Sequence, residues 1–426
     1  MKLTEDLLHF IWRYQLFNAL DLRTTRGDKL RIISYGQYNT DAGPDFEHAQ
    51  ILLNDTKWSG HIEMHIKSSD WTLHQHQLDP VYNSTILHVI WYDDVEEVLR
   101  EDGTKIPTLN LQTYRFDDSL EKYKTLMESL HAIPCHVHIQ GINPLIIANW
   151  IDRMLIERLQ NKYDNYRAWI SQTNGDWERI FLISLGRAMG MRVNGDSFEE
   201  LVRRLPITLL RKYSDDSLKI EALVFGIAGF LSIEPIDEYM GAIKDEFTYL
   251  QKIHQLMPMD VVNWKFMRMR PMNFPTIRLA QLAALLQANS NWFSNIIESV
   301  SLDAWQQQLK LAKINPYWES HYRFGVTTTN HQIRWSKGFL EHISINAIVP
   351  SLYAYGVFTN NEQYMQRAIS WMQGIPVENN AYIRQYTSLG LAIRSANDSQ
   401  ALLHLHRNYC LPRKCLQCAV GLQIIK

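Results

Sequence analysis

The chain has 426 residues, 46% of them apolar and 21% charged, with a formal net charge of −2; that is enough material for two or three folded cores and carries no overall basicity that demands nucleic acid. No stretch reaches the roughly 18 to 20 uncharged apolar residues that cross a bilayer, and residues 1–20 open with acids on an amphipathic pattern, unlike a secretory leader. A cytoplasmic protein without a membrane partner is therefore expected, and four cysteines in this length exclude a secreted disulfide scaffold.

Thr4 followed by Glu5 and Asp6 is a helix start by type, and Leu7, Leu8, Ile11, Tyr14 and Leu16 continue at helical spacing. From there to about Arg115 the pattern is β-rich, with strands expected near 30–34, 49–53, 58–67, 85–92 and 107–112. Turn residues 39–44 and Asn54-Asp55 separate the first three, and the polar, His-rich stretch 68–82 is either a loop or a short helix. The order is thus α-β-β-β-(α)-β-β. After Cys135 the period lengthens. Asn143-Pro144 opens a helix, and further helices are expected near 177–189, 198–204, 220–231, 236–254, 277–289, 302–312, 338–355, 361–372, 382–396 and 399–408. The fold class is α+β: an α/β unit over 1–130, then a large irregular α-helical domain over 131–426 that ends in a cysteine cluster.

The segment 58–67 is the most informative. A strand places alternate residues on one face, so Ile62, Met64 and Ile66 look into a core while His61, Glu63, His65 and Lys67 share the other side. One solvated face of an antiparallel sheet produces the same alternation. Asp45 begins the preceding strand, and in a hairpin it would neighbour Glu63. Two such carboxylates beside a Lys or His make a hard-cation site suited to Mg²⁺ or Mn²⁺ and to activating water against a phosphodiester.

Asp45, a strand, a turn, then Glu63 followed by His65 and Lys67, in this element order, resemble the PD-(D/E)XK nucleases over about the first 115 residues. The resemblance implies a nuclease-like mixed sheet, a metal held by Asp45 and Glu63, and nucleic acid as substrate. The position that carries lysine in that superfamily is His65 here, with Lys67 on the same face. The longer strings 39–46, 58–63, 67–71 and 86–89, with 270–275 and the C-terminal cysteines, resemble a bacterial domain-of-unknown-function family along the whole chain.

Other residues keep alternatives open. His74 and His76, with His65 and His88, would form a nitrogen-rich site better suited to Zn²⁺, although His88 alone reads as a hydrogen-bonded core histidine. Cys410, Cys415 and Cys418, with Cys135 or His406, would hold Zn²⁺ or an iron–sulfur cluster, or remain simple buried thiols. Lys265, Arg268, Arg270 and Arg278 interleave with Trp264, Phe266 and Phe274, as a phosphate-contacting stripe or an ordinary helix end would. Residues 1–115 hold 11 Lys+Arg against 17 Asp+Glu, net −6, which opposes a polyanion unless cations intervene. Three functions stand: a metal-dependent phosphodiesterase or nuclease using Asp45, Glu63, His65, Lys67, His74 and His76; a non-catalytic scaffold with a degenerate nuclease-like unit; and a zinc hydrolase of another substrate.

Overall fold

A computed structural model describes residues 3–114, 116, 118–288 and 291–426; the expected limits at Arg115 and Asn289 lie outside them. The chain divides into two compact units, the first comprising Met1–Ile151, Ser388–Gly390 and Leu403–Lys426, the second Asp152–Thr387 and Leu391–Leu402. The fold is α+β, with a mixed sheet near the N-terminus and a large helical region. Residues 403–426, including three cysteines, belong to the unit that contains the sheet. No described helix is long and apolar enough to cross a membrane.

The first unit starts with helix α1, Glu5–Arg13, capped by Thr4 Oγ1, which accepts from the Leu7 N–H. Its apolar stripe (Leu7, Leu8, Ile11 and Trp12) is at most 1% exposed, and each such side chain stabilises the unit by about 1.5–3 kcal/mol. Strands β1 (Leu22–Arg23), β2 (Lys29–Ser34), β3 (Gln37–Tyr38), β4 (Phe46–Leu53), β5 (Thr56–Lys67), β6 (Thr85–Tyr92) and β7 (Thr108–Asn110) form one sheet ordered β1-β2-β4-β5-β6-β7, with β3 on β4. The first four neighbours run antiparallel, whereas β5, β6 and β7 are parallel. A parallel pair needs a crossover, and the His-rich stretch supplies it as helix α2, Asp70–Leu73, and two 3-10 turns, His76–Leu78 and Pro80–Ser84.

Two local features set the geometry at β5. The ladder with β4 pairs Ala49 with Gly60 but Phe46 with Ile62, so β4 holds one extra residue. His48, at φ 58°, occupies that bulge. At Gly60, a Cβ would stand 2.3 Å from the Ser84 carbonyl oxygen and 2.5 Å from Ile86 Cγ2, so only glycine lets the end of the crossover lie so close to β5.

Both faces of β5 are covered in its middle. Ile62 and Met64 fill one core, but Glu63 and His65 are also buried, 5% and 1% exposed. The solvated-face alternative therefore does not describe the middle of β5, although β2 still alternates exposed and buried residues. The crossover closes over them around Trp71, which packs with Val98, Ile106 and Tyr82 and whose indole N–H donates to the Leu99 carbonyl.

The second unit is almost entirely helical. Its long helix Trp177–Arg204 breaks at Met191 (φ 55°, ψ −145°), which separates the two segments expected there. The expected 382–396 helix instead stops at Ser388, before Gly390 at φ 84°, and a new helix starts at Ala396. A short hairpin, His321–Arg323 with Val326–Thr327, and the helices Ile207–Lys212 and Trp292–Glu298 were not expected from helical periodicity.

Candidate metal centre

Four pieces of chain meet on one side of β5. Glu63 and His65 project from the strand itself, Asp45 immediately precedes β4, His9 lies on α1, and His74 and His76 come from the crossover. His88, on the parallel neighbour β6, is fully buried behind His65. Strand alternation puts Glu63 and His65 on the same face, and the bulge at His48 brings Asp45 opposite Glu63.

The distances are short and mutually consistent. The Asp45 N–H donates to Glu63 Oε2 at 3.2 Å, and Asp45 Oδ2 accepts from the Met64 N–H at 2.9 Å. His9 Nε2 lies 3.2 Å from the same Asp45 oxygen. Glu63 Oε1 is 3.3 Å from His76 Nε2 and 3.6 Å from His65 Nε2. His65 places Nε2 3.1 Å from His74 Nδ1 and Nδ1 2.9 Å from His88 Nε2. The ring of Tyr82 lies against that of His76, centroids 3.8 Å apart.

Burial dominates the electrostatics. It pushes His65 down to about 2 and His88 down to about 3, with the neighbouring imidazoles adding to the effect. These rings are neutral and offer lone pairs. Burial also raises Glu63, against the pull of His76, and the Asp45 charge raises it further. His9 moves the other way: burial lowers it, but the contact with Asp45 wins and holds its proton more tightly than usual. Tyr82 is pushed up to about 12 by burial and by Glu63 and Asp45.

The donor set fits a transition-metal ion. Ligand atoms of His65, His74 and His76 all lie within 4.8 Å of one another. Bond lengths of about 2.0–2.1 Å to imidazole nitrogen imply separations of roughly 3.0–3.4 Å between ligand atoms, the spacing that His65 Nε2 and His74 Nδ1 already have at 3.1 Å. His76 Nε2 is buried and has Glu63 Oε1 at 3.3 Å as its polar neighbour, without a formed hydrogen bond among the described residues. A buried imidazole nitrogen whose hydrogen bonding is incomplete costs free energy, and a cation between the three rings would offset that cost. If His65 donates from Nδ1 to His88 Nε2, its own Nε2 is the free lone pair that ligation needs.

Of the residues singled out from sequence, Asp45, Glu63, His65, His74 and His76 are brought together. Lys67 is not among them: it is exposed at the end of β5, where its charge acts on Asp94. Cys135, Cys410, Cys415 and Cys418 lie elsewhere in the same unit, in no disulfide. Sequence reasoning missed His9, and with it Glu5, which senses His74 and His9. The available signal was their i, i+4 spacing on an amphipathic helix. In the second unit, Arg278 is 6% exposed, stacks on Phe339 with its guanidinium carbon 3.2 Å from the ring centroid, and donates to Gln281 and Asn273. The Trp264 indole is buried and donates to the Ala228 carbonyl. These two members of the basic and aromatic run are structural.

Residues 5–381 match a family described as protein of unknown function, DUF2851. No curated protein and no solved structure matches the chain.

Proposed function

The chain belongs to the DUF2851 family, which brings no activity with it, and from the geometry of its buried histidines we propose that it is a metal-dependent hydrolase of phosphodiesters, nucleic acid first among them. The single observation that carries this reading is the convergence of His65, His74 and His76 on one point beside Glu63 and Asp45. Three imidazoles favour Zn²⁺, or Mn²⁺, over the Mg²⁺ that two carboxylates alone would select. Three protein ligands with further positions left for water and substrate are the pattern of a catalytic site.

In this reading His65, His74 and His76 would hold the ion, which would supply Lewis acidity toward water and a phosphoryl oxygen. Glu63, raised by burial, accepts the proton of the attacking water. The water oxygen forms the new bond to phosphorus as the bond to the leaving oxygen breaks. His9, whose proton affinity is raised by Asp45, is the candidate donor of the proton that the leaving oxygen takes up. The element order with acids on neighbouring strands supports a phosphodiester as substrate, by its resemblance to PD-(D/E)XK nucleases. The net charge of −6 over residues 1–115 favours a second reading, hydrolysis of an uncharged or cationic substrate by the same centre.

The test is hydrolysis of a chromogenic phosphodiester and of single- and double-stranded nucleic acid by the full chain loaded with Zn²⁺ or Mn²⁺. Glu63→Gln is expected to keep the metal and lose at least about 10²-fold in kcat, as removal of a general base does. Metal bound stoichiometrically without any phosphodiester turnover, but with cleavage of esters or amides, would select the second reading. Absence of metal binding would sink both.

A further inference from the structure

Two stretches of the second unit carry cations and no acid. Residues 261–278 hold Lys265, Arg268, Arg270 and Arg278, residues 320–340 hold Arg323, Arg334 and Lys337, and neither contains an Asp or Glu. They pack together: Thr276 Oγ1 donates to the Tyr322 carbonyl at 2.5 Å, and the Gln281 side-chain amide, one turn beyond, donates to the Arg334 carbonyl at 3.4 Å. Apart from the buried Arg278, these cations are exposed. Among the described residues, Lys337 is the one of them in an ion pair, with Glu341 at 4.0 Å.

Aromatic rings run between the charges. The Arg323 guanidinium carbon lies 4.5 Å from the Phe266 ring centroid and 5.0 Å from that of Phe274. Phe274 meets Tyr322 edge-on at 6.5 Å, and Tyr322 stacks on His331 with centroids 3.9 Å apart. These four rings are half-buried, so each keeps surface open to solvent. The His331 N–H donates to the Glu319 carbonyl at 2.8 Å. Glu319 in turn stands on the wall of a cavity of about 600 Å³ that Lys310, Lys313, Ile333, Arg334 and Trp335 also line, three cations to one carboxylate.

Cations that neutralise no acid of the protein attract a polyanion, and rings set between them are platforms on which unpaired bases stack. A duplex keeps its base faces inside, so the rings favour a single strand; an acidic peptide would use the cations and leave the rings idle. We propose that this track binds single-stranded nucleic acid. Its phosphates lie along Arg268, Arg270 and Arg323 and reach Lys310, Lys313 and Arg334 at the cavity, while bases stack against Phe266, Phe274 and Tyr322. The track shares no residue with the histidine centre and stands without the hydrolase reading; it supplies the positive charge that residues 1–115, at net −6, lack.

The experiment is fluorescence anisotropy of labelled oligothymidylate and oligouridylate of about 16 nucleotides with the metal-free full chain, in which no hydrolysis intervenes, from about 50 to 200 mM salt. A duplex of the same length and polyglutamate serve as competitors. Saturable binding of the single strands is expected, weakening steeply with salt. The double variant Lys313→Ala, Arg334→Ala is expected to lower the slope of log affinity against log salt by about 1.4, roughly 0.7 for each phosphate contact removed. Tyr322→Leu is expected to weaken binding about tenfold and leave the slope unchanged, as loss of a stacked base does. A wild-type chain that shows no saturable binding at low salt overturns the proposal, and so does polyglutamate or duplex that competes as well as the single strand. An unaltered salt slope in the double alanine variant overturns it too. The wild-type measurement decides on its own, so a variant that fails to fold does not obscure the result. Binding without metal is read separately from turnover, and failure here leaves the hydrolase reading standing.

Discussion

Asp45 and Glu63 stand opposite one another across β4 and β5, the Asp45 N–H donating to Glu63 Oε2 at 3.2 Å, because His48 adds one residue to the ladder. The register set by Ala49 and Gly60, continued without the bulge, would put Asp45 opposite Met64, whose side chain faces the other side of the sheet. A slip of one residue exchanges the faces of a strand, so this bulge decides whether the two carboxylates share a site.

Deleting His48 is accordingly expected to separate Asp45 from Glu63 and to lower phosphodiester turnover at least about tenfold, while the three histidines, none of them on β4, keep the metal; His48→Gly, which suits the φ of 58°, keeps the turnover. Hydrolysis rates and zinc titration of the two variants check this. Unchanged turnover after the deletion would show that the bulge has no part in the site.

His88 ligates nothing in this scheme; its Nε2 lies 2.9 Å from His65 Nδ1, and with His65 ligating through Nε2 it would accept the Nδ1 proton and so orient the ligand. Loss of such a partner costs about 10–100-fold in metal affinity, so His88→Ala is expected to bind zinc in that range more weakly. His65→Ala and His76→Ala should lose more. Competition with a zinc chelator measures all three, and an unaltered His88→Ala would remove that residue from the site.

The metal-free protein should weaken in mild acid. In the folded state His65 and His88 sit at about 2 and about 3, below the ordinary 6.5, so the unfolded chain binds protons that the folded chain refuses. Stability is then fully present above about pH 6.5 and falls as pH drops toward the folded values. Thermal unfolding of the apoprotein between pH 7 and pH 4 should show this fall. A double variant with Gln at both positions should flatten it, and an identical profile in that variant would contradict the assignment.

Gly60→Ala is expected to destabilise the first unit by about 1–3 kcal/mol, as overpacking does, because the new methyl would meet the Ser84 carbonyl at 2.3 Å. Strand β5 must then move from the crossover that carries His76. Chemical denaturation should report the loss, together with weaker metal binding; unchanged stability would mean that the crossover has slack.

The strands at 85–92 and around 58–67, the capped first helix and the opening of the long helix at Pro144 were legible because each is a matter of local pattern. Alternation likewise placed Glu63 and His65 on one face, and the Pro44-Asp45 turn placed Asp45 at the head of the next strand. His9 escaped because its partner is Asp45, 36 positions away, and no spacing rule links a helix residue to a strand it packs on. Lys67 shares the parity of Glu63 and His65, yet it stands exposed at the last residue of β5.

Sequence alone determined the α+β class, the apolar stripes and the residues competent to hold a metal, since hydrophobic period and side-chain chemistry are local properties. Tertiary structure alone decided that three histidines and two acids converge, that the polar face of β5 is buried, and that the C-terminal cysteines join the N-terminal unit. Those outcomes depend on strand register, on a single bulge and on which distant segments pack together, and contacts made across the chain leave no period in it.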